Sequence, residues 1–289
     1  MNGLFRKIRG LFGSPPGADT HPGLTTSDPR PCPITGQSGD GLTILGSVPV
    51  THENLSPMSE FRLVHSSYSD LIYLDPLPSP EQLVSMYEQS TQFDGEHYLE
   101  PAQVAAIMDY YGHCLETLFP KTSTPLRVLE VGAGLAWISR AAKAADPQSL
   151  TIAQDVSDEV AEDCEWVDEY LVGPVEEVLS GSELQFDVIS MTHVIEHLAA
   201  PSEMMQALSG LLSADGIMFI TAPYRPIGWQ VGDPIDKWLD YSYLHVPAHI
   251  TYFSKQAFEL AVEPIGLLVQ HWNQNADNGE AFELVLSKR

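Results

Sequence analysis

Apolar and polar positions change their rhythm at about residue 120. From Leu126 onward, short runs of branched apolar residues alternate with stretches in which apolar residues recur every three or four positions. The runs predict strands at 126–131, 150–155, 169–172, 186–191, 216–222, 267–273 and 281–287. The stretches between them predict helices at 136–145, 157–164, 175–180, 201–213 and 254–264. Strand alternating with helix is the pattern of a parallel sheet covered on both faces. The last two strands have no helix between them.

Upstream the rhythm is different. The patches Leu42–Val50 and Arg62–Pro76 are short and strand-like and predict a small β-rich unit over 32–78. Residues 79–120 predict connecting or lid helices. Ser79-Pro-Glu-Gln82 is a capping box, followed by an apolar stripe at Leu83, Met86 and Tyr87. A second helix is predicted from Pro101 to Phe119, with Val104, Ile107, Met108, Tyr111 and Leu115 on one face. Tyr87, Tyr98 and Tyr111 are expected in the core or a lid rather than on a ligand. Residues 121–289 then form the large α/β domain. Residues 1–31 hold an apolar-basic segment and a linker rich in Gly, Pro, Ser and Thr.

Composition narrows the partners. The 289 residues carry a formal net charge of −25, which disfavours a nucleic-acid backbone as partner. Three cysteines, far apart in sequence, argue against a disulfide framework and for a reducing compartment, so a cytoplasmic protein is expected. No apolar run reaches the roughly 18–20 residues of a spanning helix. Residues 2–12, NGLFRKIRGLF, run against the acidic trend and read as a basic amphipathic segment. It could lie peripherally on an anionic membrane, pack on the protein's own acidic surface, or fray. Composition leaves the oligomeric state undetermined.

The chemistry begins at Glu130-Val-Gly132-Ala-Gly134, between the first long strand and its helix. Gly132 and Gly134 let a ligand approach the backbone at a helix N-terminus. A dinucleotide fingerprint needs a third glycine where Trp137 stands, and Glu130 suits a cationic amino group better than a pyrophosphate. The E-V-G-A-G turn resembles the first motif of class I S-adenosylmethionine (SAM) methyltransferases, which often carry a third glycine at the position of Ala136. Asp155, ending the second long strand, is placed for ribose hydroxyls or for capping the next turn. Phe186-Asp-Val-Ile through His193-Val-Ile-Glu196-His197-Leu198, with Leu211–Ile220, resembles the F-D-x-I, x-V-x-E-H-L and L-L-x-P-G-G blocks of the same family. The resemblance implies a seven-stranded Rossmann-like sheet, SAM as cofactor, and Glu130, Gly132, Gly134, Asp155 and Thr192 around it.

Cys32, Thr35, Ser66 and Ser69 fall where a zinc ribbon attached to some sugar and secondary-metabolite methyltransferases carries CxxC pairs. That resemblance implies a degenerate ribbon that keeps its shape without metal.

The cluster His193–His197 has three readings. Glu196 and His197 could order the loop; His193 or His197 could be a general base; or His193, Glu196, His197 and His249 (or His245) could hold a divalent ion. The last resembles the metal-dependent subgroup of small-RNA 2′-O- and ubiquinone-pathway O-methyltransferases. The loop 223–247, with Trp229, Trp238, Tyr241, Tyr243 and His245, could be an aromatic lid or could fold on its own small core. The expected activity is SAM-dependent methylation of a hydroxyl on a small molecule or sugar. The rival is a non-catalytic binding module of the same fold.

Overall fold

A computed structural model describes residues 28–51, 61–79, 82, 99–119, 125–276 and 279–289. The basic segment 2–12 and the stripe at Leu83, Met86 and Tyr87 lie outside the described residues. The capping box at Ser79 is visible at its edge, where Gln82 N donates to Ser79 Oγ and Ser79 N to Gln82 Oε1.

The elements in chain order are β1 (Leu42–Val48), β2 (Phe61–Ser66), β3 (Leu71–Asp75), α1 (Pro101–Thr117), β4 (Arg127–Val131), α2 (Trp137–Ala145), β5 (Leu150–Asp155) and β6 (Glu169–Val172). Then follow α3 (Val175–Val178), β7 (Phe186–Thr192), α4 (Pro201–Leu211), β8 (Leu212–Pro223), α5 (Asp236–Leu239), β9 (Thr251–Tyr252), α6 (Lys255–Val262), β10 (Leu267–Ala276) and β11 (Ala281–Lys288). The large sheet has seven strands in the order β10-β11-β8-β7-β4-β5-β6. From β8 to β6 all neighbours are parallel, while β11 runs antiparallel to both β8 and β10. The chain starts in the middle at β4, builds to one side, then returns at β7 to build the other. Ligands of open α/β sheets bind at such a reversal, at the strands' C-terminal ends.

Burial explains why the strand pattern was readable. Val128, Leu129, Val188, Ile189, Phe219 and Leu284 are fully covered, because helices lie on both faces. The helix predicted over 157–164 is only a single tight turn at Ala161–Asp163. Asp158 faces Glu162 and Glu159 faces Asp163 at helical spacing, and such like-charge pairs oppose a longer helix.

A second, antiparallel sheet has the order β1-β2-β3-β9. Its last strand comes from the loop that separates β8 from β10, where Tyr73 pairs with Thr251 and Ile72 with Tyr252. Trp229, Trp238, Tyr241, Leu244 and Val246 of that loop pack on Phe61, Leu63, Ile72 and Leu74. The loop is therefore not a free aromatic lid. Most of its rings are the core of the small unit, since β1–β3 alone could not bury one face. At the joint, Arg225 Nη2 reaches Asp70 Oδ1 at 2.9 Å and Asp70 O at 2.7 Å, and His65 Nε2 lies 3.0 Å from Asp70 Oδ1. Burial works to raise the Asp70 carboxyl, but His65 and Arg225 outweigh it and bring it down to about 2.

The four ribbon-like positions meet in this unit. Cys32 Sγ lies 3.2 Å from Ser69 Oγ, and Ser69 Oγ donates to Ser66 Oγ at 3.4 Å. Burial pushes the Cys32 thiol up, yet hydrogen bonds from Ser66, Ser69 and Thr35 leave it below its ordinary range.

Candidate active site

The glycine turn closes on both of its neighbours. Gly132 (φ 61°) and Gly134 (φ 48°) are left-handed, and a Cβ on Gly132 would stand 2.4 Å from Val194 Cγ2. Ala136 is left-handed too, at φ 50°, where a non-glycine residue costs roughly 1–2 kcal/mol. Below it, α2 begins without a cap of its own. The cap comes from β4: Ile138 N and Ser139 N donate to the two Glu130 oxygens, at 3.1 and 2.8 Å, and Ser139 Oγ adds 2.7 Å. Glu130, expected to face a ligand's amino group, thus binds the helix N-terminus, where an anion is stabilised. Burial raises its carboxyl to about 6 against the pull of Ser139 and Ile138.

Asp155 serves the turn in the same way. Its Oδ2 accepts from Gly134 N at 3.0 Å and its Oδ1 from Ser157 N at 3.1 Å. Tyr170 Oη donates to Gly134 O at 3.0 Å, and Trp166 Nε1 to Ala136 O at 2.9 Å.

Above the turn lies a cavity of about 380 Å³, lined among others by Glu130, Gly132, Gly134, Trp137 and Thr192. Four of the five residues expected around a cofactor share this wall, and Asp155 stands behind it. The helix α1 supplies the far side through Ile107 and Tyr111. Tyr111 is thus both core and cavity wall. The spacing of Ile107 and Tyr111, one helical turn apart, was the sequence signal that pairs them.

One residue past the cavity the chain enters the histidine cluster. His193 is left-handed (φ 53°), its side chain is 41 % exposed, and its ring stacks on Tyr243 with centroids 5.7 Å apart. Glu196 is fully buried, with His193 Nδ1 at 3.3 Å and His197 Nε2 at 4.0 Å from its Oε1. Neither Glu196 oxygen receives a hydrogen bond in bonding geometry. Burial works to raise this carboxyl, and the surrounding histidines win, holding it below its usual range.

His197 Nδ1 is 3.0 Å from Ala248 O and His249 Nδ1 is 2.8 Å from Tyr243 O. A carbonyl only accepts, so each Nδ1 carries the proton, and His197 Nε2 is the ring nitrogen that faces Glu196. Burial keeps both rings below ordinary imidazole values, His249 at about 3. Ligand atoms of Glu196, His197 and His249 lie within 4.8 Å of one another, the one group of three of this kind among the described residues. His245 is turned outward onto Ser242 O.

The methyltransferase domain family matches residues 102–271. A search of curated proteins finds no match. Among solved structures, a SAM-dependent methyltransferase from Mesorhizobium loti is 16 % identical, with a TM-score of 0.48 over 63 % of this chain and all of that one. A putative methyltransferase of Haloferax volcanii, solved with its Trm112 activator, is 13 % identical, with a TM-score of 0.49 over 65 % of this chain and 93 % of that one. The pyocyanin biosynthetic protein PhzM is 14 % identical, with a TM-score of 0.46 over 62 % of this chain, which spans 54 % of that protein's length. The matched segment takes in the glycine turn, the cavity wall and the histidine cluster, and by it the chain belongs to the SAM-dependent methyltransferases.

Proposed function

We propose that this methyltransferase acts on a hydroxyl oxygen of a small molecule or sugar. SAM supplies a methyl group already activated on sulfonium, which leaves the protein to align the acceptor and remove one proton. The observation that carries the reading is His193. It is an exposed imidazole in a strained backbone conformation, one residue beyond the cavity wall and backed by a buried carboxylate. In this reading Gly132 and Gly134 admit the cofactor to the backbone, Thr192 and Glu130 line its cavity, and Asp155 and Glu130 keep the turn in shape. His193 takes the acceptor proton, and Glu196 stabilises the imidazolium that forms. His197, half-buried and tied to Ala248 O, positions Glu196 rather than meeting the acceptor.

The test is calorimetry with SAM and its demethylated product S-adenosylhomocysteine (SAH), then a panel of hydroxyl, amine and carbon acceptors read by product mass. His193→Ala is expected to lower kcat by about 10²–10⁴ with SAM affinity kept. Methyl found only on nitrogen or carbon, or no binding of either ligand, overturns the reading.

A specific observation favours a second reading. Ligand atoms of Glu196, His197 and His249 converge within 4.8 Å of one another, and the Nδ1–carbonyl bonds of the two rings are the outer contacts that orient metal-ligating histidines. Glu196, His197 and His249 would hold a divalent ion that polarises the acceptor oxygen.

A further inference from the structure

Three rings of the loop between β8 and β9, those of Trp229, Trp238 and Tyr241, fill the core of the small unit. Tyr243 packs on the edge of that core and reaches out of it. Its ring lies against His193 of the large domain, with centroids 5.7 Å apart and planes 14° from parallel. The residue is pinned on its other sides. Its ring meets Tyr241 at 5.8 Å, and Tyr241 Oη donates to Glu280 O at 2.7 Å. Its carbonyl accepts twice, from His249 Nδ1 at 2.8 Å and from Tyr252 Oη at 3.0 Å. Tyr252 belongs to β9 and is fully buried, so the small sheet itself fixes the backbone of Tyr243.

His193 has need of such a wall. Its φ of 53° is a conformation that a non-glycine residue keeps only when its surroundings hold it. His193 N donates to Thr221 O at 2.9 Å, which fixes the backbone but not the ring. The last torsion of a histidine is broad and roughly two-fold. A half turn about it would bring a carbon to the place of Nδ1, which now stands 3.3 Å from Glu196 Oε1. A base backed by Glu196 works in only one of the two settings, with Nδ1 on the carboxylate and Nε2 on the far side of the ring. The parallel face of Tyr243 stands in the path of that turn. We propose that Tyr243 is a positioning residue for His193, holding the imidazole in its working setting and making the small unit a part of the active site. This rests on the reading of His193 as the base. The ring face does the holding, and the hydroxyl of Tyr243 is not required for it.

The test begins with the protein alone, as carbon-13 relaxation of the His193 Cε1–H group in the full chain labelled at histidine. The signal is assigned by its absence from His193→Ala. The imidazole is expected to be rigid on the ps–ns timescale in wild type and in Tyr243→Phe, and to gain large-amplitude motion in Tyr243→Ala. Unmoved signals of His197 and His249 show that the fold and the bond to the Tyr243 carbonyl are kept. If they move in Tyr243→Ala, Tyr243→Leu, which keeps bulk without the flat face, decides by the same criterion. With the acceptor that the mass panel identifies, Tyr243→Ala is expected to lower kcat by up to about 10²-fold at unchanged SAM affinity, the scale of a misplaced group, and Tyr243→Phe to restore it. In a His193→Ala background the same substitution is expected to cost nothing further, since no imidazole is left to place. An imidazole as rigid without the ring as with it overturns the proposal, as does a Tyr243→Ala loss that persists in the His193→Ala background. His193→Ala at the wild-type rate removes the base reading on which the proposal stands. A slow His193→Ala beside an unimpaired Tyr243→Ala overturns the positioning role alone.

Discussion

Two clusters in this molecule gather metal-ligand positions, and they end in opposite states. In the small sheet Cys32, Thr35, Ser66 and Ser69 meet, and every one of them can donate as well as accept. Their thiol and hydroxyls bond to one another, so the cluster closes with nothing added. Behind His193, Glu196, His197 and His249 meet as well, but both rings give their Nδ1 protons to carbonyls outside the cluster. The neighbour that can donate into it is His193, whose Nδ1 lies 3.3 Å from Glu196 Oε1. Position alone does not mark a metal centre; the balance of donors and acceptors decides whether a buried polar group is complete.

The largest test converts the first cluster into the second kind. Replacing Thr35, Ser66 and Ser69 together by cysteine is expected to give a zinc-binding knuckle with ~10 kcal/mol of binding free energy. It would be read as one zinc per chain and a chelator-reversible rise in Tm. A triple variant that folds but ignores zinc refutes our reading of the small unit as a ribbon that has lost its metal.

Next in size is the reverse experiment. Manganese at a hundred times its Kd is expected to stabilise the wild-type protein by about 2.7 kcal/mol, read as a shift in Tm. Glu196→Gln replaces the carboxylate among the imidazoles by a neutral amide, a poor metal ligand. It should abolish the manganese shift while the metal-free protein melts no lower than wild type. No shift in the wild-type protein sinks the metal-assisted reading and leaves Glu196 as the partner of His193. The smallest effect is Ser69→Ala, which strips Cys32 and Ser66 of a shared partner and is expected to cost about 1–2 kcal/mol by urea unfolding. A neutral result there means the closed cluster contributes no stability.

How much was legible follows from how local each signal is. The strands β4, β5, β7 and β8 in the middle of the sheet were readable because both of their faces are covered. The glycine turn was readable because left-handed backbone selects glycine. The function of Glu130 was not. An acid at a strand end reads equally as ligand or cap, and its partners Ile138 and Ser139 lie eight and nine residues on. The aromatic loop stayed open between lid and core for a similar reason, since the residues Trp238 covers in the hairpin are far away in sequence. Nor could the histidines reveal their tautomers, which depend on the carbonyls of Ala248 and Tyr243. Residue type and spacing predict which chemistry gathers at one sheet edge. The protonation and pairing that give each group its role come from packing.

The pairing of β3 with β9 has a consequence for how the protein is made. Asp75 leaves the ribosome long before Thr251 does, and five strands of the large sheet are synthesised in between. At typical elongation rates that interval is on the order of ten seconds or more. During it the β1–β3 meander has an unpaired edge and lacks the tryptophans that fill its core. The β1–β3 meander is thus left incomplete while most of the large sheet is made, and a nascent-chain chaperone would find its work there.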